Sequence, residues 1–312
     1  MKCSTEKALC NKRGRDLGLV HKLIDRYTRI RRSLSRYAPR RVRTFAKGTL
    51  AFTDFWLDAI NRMAGRRDEQ SPPRRFSRSI GGNYKAAGEE FLAQLKELGN
   101  LSPNDSVLDV GCGVGRMAIP LAAYLKFGNY EGFDVVRANV EWCKKKISPK
   151  HPNFHFQCVD IYNKEYNPRG MSNAIDFRFP FPDDTFDVVF ATSVFTHMLP
   201  EEMEHYLSEI ARVLHPGGRS LATFFLLNSE SNSLMSEGAN RLDFNFEFGS
   251  YRTYRRDIPE AAVAYDELYV RSIYQRVGLQ LSEPIYYGSW SGRKGPRGYQ
   301  DLNVAKLPGP EE

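Results

Sequence analysis

The chain has 312 residues, of which 41% are hydrophobic and 26% charged, and these values exclude a protein that is disordered throughout. The longest apolar runs, such as 221–227, are too short to span a bilayer, and the first ten residues lack the apolar core of a secretory signal. Five cysteines without a CxxC pair argue against a disulfide framework, so we expect a reduced, cytoplasmic location.

Positive charge is concentrated at the N-terminus. Residues 1–80 carry 21 Lys and Arg against 7 Asp and Glu, whereas residues 81–312 carry 24 against 30. Apolar residues recur every three or four positions over Val20–Tyr37, with Lys and Arg between them, which predicts a basic amphipathic helix. A second apolar face covers 52–63, and the Ser-Pro-Pro at 71–73 indicates a boundary. We therefore predict a basic helical N-terminal arm over 1–80 and a second domain over 81–312.

From residue 88 onward, helices and strands alternate, which predicts a parallel sheet with crossover helices. Helices are predicted over Glu89–Gly99, Arg116–Leu125, Arg137–Ile147, Glu201–Leu214 and Tyr265–Val277. Strands are predicted over Ser106–Val110, Tyr130–Asp134, Phe154–Asp160, Phe186–Thr192, Arg219–Leu227, Leu279–Tyr287 and Tyr299–Lys306. Residues 228–262 form an insertion in this series. The fold class is therefore α/β, a doubly wound, mostly parallel sheet of seven strands.

A glycine-rich turn follows the first predicted strand, with Asp109 at its start and Gly111, Gly113 and Gly115 in alternation. Glycines here let a ligand approach the backbone at the N-terminal end of a helix. The dinucleotide fingerprint G-x-G-x-x-G requires a third glycine where Arg116 stands, so that pattern fails. The spacing D-x-G-x-G-x-G suits a donor without phosphates, whose amino-acid end an acidic residue can bind. The turn alone leaves open a simple tight turn or another nucleotide site.

Two aspartates follow at predicted strand ends. Asp134 stands 19 residues after Gly115, where a carboxylate can accept hydrogen bonds from two ribose hydroxyls, and Asp160 stands where a side chain can reach an adenine amino group. Together with F-D-V-V at 186–189 and L-H-P-G-G at 214–218, this ordered set resembles the class I, seven-stranded, S-adenosylmethionine-dependent methyltransferases. The resemblance covers about residues 88–306 and is nearest to the small-molecule branch of that family.

The resemblance implies S-adenosyl-L-methionine as the cofactor and assigns residues to three parts of it. The methionine end is lined by Asp109, Gly111, Gly113 and Gly115, the ribose is held by Asp134, the adenine is bordered by Asp160 and Ile161, and the sulfonium lies beside Ser193 and Val194. The segment Tyr162–Pro182 is longer than the usual connection and is expected to form an extra pocket wall. The histidines show no metal-ligand spacing, and we predict no metal.

His197, just after the fourth predicted strand, is the candidate catalytic base. A base is needed only when the acceptor must lose a proton as it attacks, and the alternative is that His197 packs on the donor or caps the next helix. Acceptor identity is expected to reside in the insertion 228–262, which combines Phe, Tyr and Arg, and in the segment 289–293. These residues favour a small-molecule, lipid or glycan acceptor with a hydroxyl as the accepting group. A lid folded on the core is the other interpretation of the insertion.

Basic amphipathic helices bind anionic membranes, partner helices or phosphates. For Val20–Tyr37 we predict contact with anionic lipid, which adds peripheral membrane association to a cytoplasmic location. A nucleic-acid methyltransferase is the alternative enzyme, because the arm could follow phosphates. Against it, residues 191–194 lack the N/D-P-P-Y/F box of enzymes that methylate base amino groups. A module that binds the donor without turnover is the non-enzymatic alternative.

Overall fold

A computed structural model describes residues 84–295 and 298–309, together with the isolated positions Asp58, Pro72 and Pro73. Apart from those three positions, the arm predicted over 1–80 lies outside the described residues, so its helices stay a prediction. Within the described ranges, no helix combines the length and the apolar character that a membrane span requires.

Strands and helices alternate along the described ranges as the sequence predicts. The helices are α1 (Tyr84–Glu97), α2 (Ala118–Tyr124), α3 (Arg137–Lys146), α4 (Pro200–Val213), α5 (Ser229–Ser236) and α6 (Glu267–Arg276). The strands are β1 (Val107–Val110), β2 (Tyr130–Asp134), β3 (Phe154–Cys158), β4 (Phe186–Ala191), β5 (Leu214–Phe224), β6 (Leu226–Leu227), β7 (Phe246–Glu247), β8 (Tyr251–Thr253), β9 (Val263–Asp266), β10 (Gln280–Leu281) and β11 (Asp301–Lys306).

Seven of these strands form one sheet in the order β10-β11-β5-β4-β1-β2-β3. Strand β11 is antiparallel to both of its neighbours, and the remaining pairs are parallel. The predicted fold class, a mostly parallel seven-stranded α/β sheet, is therefore confirmed. The carboxyl ends of β1, β2 and β4 meet at one edge, where parallel α/β sheets bind their ligands.

Both faces of the sheet are buried, which explains why the central strands β1 and β4 are mostly apolar. Leu95, Leu121 and Val140 of α1, α2 and α3 pack on one face, and Leu207 and Ile273 of α4 and α6 pack on the other. All five of these side chains are fully withdrawn from solvent. Burying each of them contributes about 1.5–3 kcal/mol relative to exposure, so the two helical layers stabilise the sheet that carries the ligand-binding edge.

Several predicted boundaries were wrong. The sequence predicts a helix over Tyr265–Val277, but Tyr265 lies in β9, and α6 begins only after Asp266. The Asp266 carboxylate accepts a hydrogen bond from the Tyr269 N–H at 3.0 Å, and this cap fixes the start of the helix. The strand predicted over Phe154–Asp160 ends at Cys158.

The strands at the C-terminal side also differ from their predictions. Strand β5 begins at Leu214, five residues before the predicted start, and stops at Phe224 because the chain then leaves the main sheet. The strands predicted over Leu279–Tyr287 and Tyr299–Lys306 are shortened to β10 and β11.

The insertion 228–262 is folded on the core. It supplies α5 and two strands of a second sheet, whose order is β6-β9-β8-β7. Beneath this sheet, three buried aromatic rings of Phe225, Phe244 and Trp290 contact one another, with ring centroids 5.3–5.5 Å apart. Aromatic packing of this kind attaches the insertion firmly to the main domain.

Candidate functional site

The glycine turn after β1 exposes its backbone at one point. Gly111, Gly113 and Gly115 have φ values of +77°, +54° and +70°, a region that other residues rarely adopt. A Cβ on Gly111 would lie 2.5 Å from Val194 Cγ2, and one on Gly115 would lie 2.4 Å from Ile147 Cδ1. A Cβ on Gly113 would meet no atom of the described residues within 4 Å. Gly111 and Gly115 therefore allow close packing, whereas Gly113 faces open space in which a ligand fits.

Asp134 lies against this turn. Its Oδ2 accepts a hydrogen bond from the Gly113 N–H at 2.8 Å, and its Oδ1 accepts one from the Val136 N–H at 2.7 Å. Burial raises the pKa of the Asp134 carboxyl above its ordinary value, and the two N–H groups oppose that rise. Each oxygen keeps a lone pair for a further donor, so the carboxylate can hold a pair of ribose hydroxyls.

Asp109 is buried with one oxygen unsatisfied. Its Oδ2 accepts a hydrogen bond from the Tyr130 hydroxyl at 2.7 Å, whereas its Oδ1 has no donor in the described part of the chain. Burial raises the pKa of the Asp109 carboxyl to about 7. A buried carboxylate oxygen without a donor is costly, and such an atom marks a place where a ligand donor belongs.

Two residues that the sequence analysis did not assign stand beside the same turn. The Tyr84 hydroxyl of α1 donates to the Val114 carbonyl oxygen at 2.8 Å. Arg116, directly after the turn, is partly buried, and burial lowers the pKa of its guanidinium. Arg116 directly follows D-x-G-x-G-x-G in the sequence, and this position indicates that its side chain lies close to the turn.

The segment after β3 forms a hairpin at the edge of the site. Asn163 pairs antiparallel with Asn167, which defines the hairpin as residues 163–167, and the buried Ile161 forms an isolated parallel bridge with Ser172. Asp160 is exposed, and its carboxylate lies 3.5 Å from the Asn167 amide nitrogen. The hairpin belongs to the segment Tyr162–Pro182, for which the sequence predicts a pocket wall.

His197 ends a short 3-10 turn that follows β4. Its Nδ1 lies 2.8 Å from the Glu260 carbonyl oxygen, which can only accept, so Nδ1 carries the proton and Nε2 is an acceptor. Nε2 lies 3.1 Å from the hydroxyl of Tyr166, in the hairpin. Burial lowers the pKa of the His197 imidazole below its ordinary value, so the ring is neutral at physiological pH.

Ser193 and Val194 link the end of β4 to the rest of the site. Val194 is the residue that packs on Gly111, so this turn and the glycine turn are in contact. The Ser193 hydroxyl donates to Gln300 Oε1 at 2.9 Å, and the Thr223 hydroxyl donates to the same oxygen at 2.7 Å. Gln300 precedes β11 and Thr223 is in β5, so no local sequence pattern indicates this junction.

Two arginines of the insertion, Arg252 and Arg255, already have partners within the chain. Arg252 pairs with Glu247, and Arg255 pairs with Asp257. Arg293, in the predicted acceptor segment 289–293, binds Glu230 at 2.7 Å and is 6% exposed. These side chains therefore stabilise the insertion and are not free to bind an acidic acceptor.

Asp301, at the start of β11, holds the segment 288–293 to the main sheet. Its carboxylate accepts hydrogen bonds from the Gly288 N–H, the Leu226 N–H and the Trp290 indole N–H, each at 2.7 Å. The Arg293 guanidinium lies 3.5 Å away, and burial raises the pKa of Asp301 to about 6. Both oxygens of this carboxylate are satisfied by the chain itself.

Comparisons with known proteins agree with this geometry. The profile of the family described as "Methyltransferase domain" matches residues 107–218. The chain is 31% identical over 140 residues to methyltransferase GfsG of Streptomyces halstedii, an alignment that covers 43% of this chain and 42% of that protein. It is also 31% identical over 128 residues to 27-O-demethylrifamycin SV methyltransferase of Amycolatopsis mediterranei, covering 41% of each. The chain thus spans less than half the length of these relatives.

The fold is similar to that of a solved structure, the PH0226 protein of Pyrococcus horikoshii, with a TM-score of 0.50 and 17% identity. That superposition covers 75% of this chain and 95% of the other. At this identity the likeness concerns the fold alone. The family match, the sheet order and the contact between the glycine turn and Asp134 agree with one another. Residues 107–218 therefore carry a methyltransferase domain of the class I, Rossmann-like, S-adenosylmethionine-dependent type.

Proposed function

We propose that the protein transfers a methyl group from S-adenosyl-L-methionine to a hydroxyl of a small molecule, lipid or glycan. The observation that carries this proposal is the neutral His197 ring, whose Nε2 lies 3.1 Å from the hydroxyl of Tyr166. The donor, when bound, supplies an electrophilic methyl group and a neutral leaving group. The protein then has to align the acceptor, exclude water and take up one proton.

The donor-binding positions follow from the same arrangement. The open face of Gly113 and the lone pairs of Asp134 fit the sugar and amino-acid parts of the donor. The proposed donor contacts are Asp109, Gly111, Gly113 and Gly115 at the methionine end, Asp134 at the ribose, Asp160 and Ile161 at the adenine, and Ser193 and Val194 beside the sulfonium.

His197 is suited to act as the base. Because the Glu260 carbonyl holds the proton on Nδ1, the lone pair of Nε2 is available without any change of tautomer. The hydroxyl now at Nε2 belongs to Tyr166, and desolvation raises the pKa of that phenol to about 12. Tyr166 therefore stays protonated and marks the position in which His197 would hold an acceptor hydroxyl.

The surroundings of His197 favour an acceptor with an apolar body. The ring of Tyr166 contacts the imidazole, with the two centroids 5.0 Å apart, and Tyr162, Met171 and Ile175 of the same segment are also exposed. The name of the Amycolatopsis relative gives an O-demethylated small molecule as its substrate, which supports an oxygen acceptor of this class.

The test is methyl transfer from labelled donor into a metabolite and lipid extract, followed by identification of the product. We expect His197→Ala to lower turnover about 100-fold while keeping donor affinity, because only proton uptake is lost. His155→Ala is the matched control, since His155 is exposed on β3 and binds only Glu131 at 2.9 Å. Unchanged turnover in His197→Ala, or a methyl group on nitrogen or carbon of the product, would contradict the proposal.

We further propose that residues 1–80 form a separate basic arm, distinct from a catalytic domain over 81–312, and that it contacts anionic membranes. The support is its charge, 21 basic against 7 acidic residues. Deleting residues 1–45 should leave donor affinity nearly unchanged and reduce binding to phosphatidylglycerol vesicles, an effect that weakens with salt. A folded truncated protein that loses donor binding would show that the arm belongs to the donor site.

A further inference from the structure

We propose that Gln300 is a positioning residue, which holds the turn after β4 so that His197 stays in place beside the acceptor. The inference rests on the proposed function, because it treats His197 as the base, and it adds a residue that the sequence analysis did not assign. The turn, residues 193–197, carries Val194 against the glycine turn and ends at His197. A residue that fixes this turn therefore also fixes where the base lies relative to the donor.

Ser193, at the start of the turn, has a strained backbone. Its φ is +58°, in the left-handed region that residues with a Cβ rarely adopt. Its N–H donates to the Thr223 hydroxyl oxygen at 2.8 Å, and its own hydroxyl donates to Gln300 Oε1 at 2.9 Å. Without bonds that hold it, the backbone would relax towards negative φ and rotate the peptide that leads to Val194. The conformation of the turn therefore depends on partners in other strands.

A single side-chain amide binds the turn at two places. The Thr223 hydroxyl accepts the Ser193 N–H, so its own hydrogen is free to donate to Gln300 Oε1 at 2.7 Å. Oε1 therefore accepts two hydroxyl hydrogens, and Nε2 of the same amide donates to the Thr196 hydroxyl oxygen at 3.3 Å. Thr196 is fully buried and directly precedes His197. Gln300 thus binds both the strained first residue of the turn and the residue next to the base.

The hydrogen bonds of Gln300 start from a rigid part of the main sheet. Gln300 directly precedes β11, whose buried first residue, Asp301, pairs with Phe224 of β5. The Phe224 ring stacks on the ring of Phe195, in the middle of the turn, with centroids 5.0 Å apart. Packing therefore holds the middle of the turn, whereas the Gln300 amide holds its strained start and the residue before the base. Catalytic groups keep their geometry when such supporting bonds come from rigid elements.

The inference is tested on the tautomer of His197, which nitrogen NMR of the imidazoles measures without an acceptor. In wild type the Glu260 carbonyl keeps the proton on Nδ1, and the spectrum of His197→Ala identifies the signal. Gln300→Met removes every hydrogen bond of the amide at nearly constant size, so we expect a mixture of the two tautomers. Turnover with the acceptor found in the extract should fall about 10- to 100-fold, the effect of a misplaced catalytic group, while affinity for S-adenosylhomocysteine changes less than about threefold.

Two substitutions at Ser193 separate positioning from a merely structural role. Ser193→Ala removes the hydroxyl that binds Gln300 but keeps the cost of a positive φ, so it should give the same mixture of tautomers as Gln300→Met. Ser193→Gly removes the same hydroxyl and adopts a φ of +58° without that cost, so the proton of His197 should stay on Nδ1.

Gln275→Met is the matched control, because it makes the same substitution at an exposed position of α6, and it should leave the spectrum unchanged. If folded Gln300→Met keeps the wild-type tautomer, the inference is overturned while the proposed function stands. Equal spectra of Ser193→Ala and Ser193→Gly would also overturn it, because strain at this residue would then play no part. A wild-type protein that transfers no methyl group would overturn the proposed function, and with it the catalytic meaning of the inference.

Discussion

Asp109 and Asp301 are both buried aspartates in strands of the same sheet, yet their surroundings are opposite. Asp301 accepts three N–H hydrogen bonds at 2.7 Å and has Arg293 nearby, whereas Asp109 accepts a single hydroxyl and keeps one oxygen without a donor. Burial raises the pKa of both carboxyls, to about 6 for Asp301 and about 7 for Asp109. A carboxylate saturated by its own chain holds the fold, whereas an unsaturated one costs stability and awaits a ligand.

The largest effect is expected from Asp301→Ala. This change would leave the Trp290 indole N–H, two backbone N–H groups and Arg293 without their buried acceptor. We expect the free energy of unfolding to fall by about 3–5 kcal/mol, the range for breaking a buried charged network. Urea denaturation measures it, and calorimetry on the folded protein should show nearly normal donor affinity. A fall in the free energy of unfolding of less than about 1 kcal/mol would mean that Asp301 does not hold the fold and so does not differ from Asp109 in this respect.

For Asp109→Asn we expect the free energy of unfolding of the ligand-free protein to rise, the opposite of the change expected for Asp301→Ala. Because the folded pKa of about 7 exceeds the ordinary 3.8, the unfolded chain releases this proton first as pH rises. The stability that the protonated carboxyl contributes is fully present below about pH 4 and is lost as pH rises through about 7. A difference of about three pKa units sets an upper limit of about 4 kcal/mol on the gain at pH 8.

Urea denaturation at pH 4.5 and pH 8 checks this, with wild type beside the variant. The variant should exceed wild type at pH 8, and the two should be nearly equal at pH 4.5. A variant that is less stable than wild type at pH 8 would mean that Asp109 is satisfied in the free protein.

A smaller effect is expected at His197, whose ring has one nitrogen bonded to the main chain and one that faces the Tyr166 hydroxyl. Its Nδ1 is satisfied by the Glu260 carbonyl, and its Nε2 faces a displaceable hydroxyl. Tyr166→Phe should therefore change turnover by less than about tenfold, because the acceptor takes the place of the phenol. Turnover of both proteins should rise with pH through a pKa below about 6.5, since burial disfavours the imidazolium. Turnover that does not fall at any pH below about 6.5 at which the protein stays folded would exclude His197 as the base.

The sequence predicted those parts of the site whose residues are close together along the chain. The glycine turn and Asp134 belong to one strand-helix-strand unit, so the order of residues largely fixes their contact. The position of His197 directly after β4 followed from the alternation of predicted helices and strands along the sequence. The sequence did not indicate its partners, because Tyr166 and Glu260 lie 31 and 63 residues away and depend on tertiary packing.

The difference between Asp109 and Asp301 was equally invisible in the sequence. Whether a carboxylate is satisfied depends on where the N–H groups of residues 226, 288 and 290 come to lie, and no spacing encodes that. The start of α6 was missed for a local reason. The apolar Val263–Tyr265 matches a helical face as well as a short strand, and only the Asp266 cap separates the two.

The attachment of the insertion by Asp301 has a consequence for how the protein can acquire new substrates. Strand β6 follows β5 after the single residue Phe225, and the Leu226 N–H is bonded to Asp301, so the insertion moves together with the main sheet. The hairpin after β3 contacts His197 through two side-chain hydrogen bonds. One joins the Asn163 amide to the His197 carbonyl oxygen at 3.1 Å, and the other joins the Tyr166 hydroxyl to His197 Nε2. Changes at the exposed residues of the segment Tyr162–Pro182, such as Tyr162, Tyr166 and Met171, leave the buried core intact, and we expect related chains to diversify their acceptors there first.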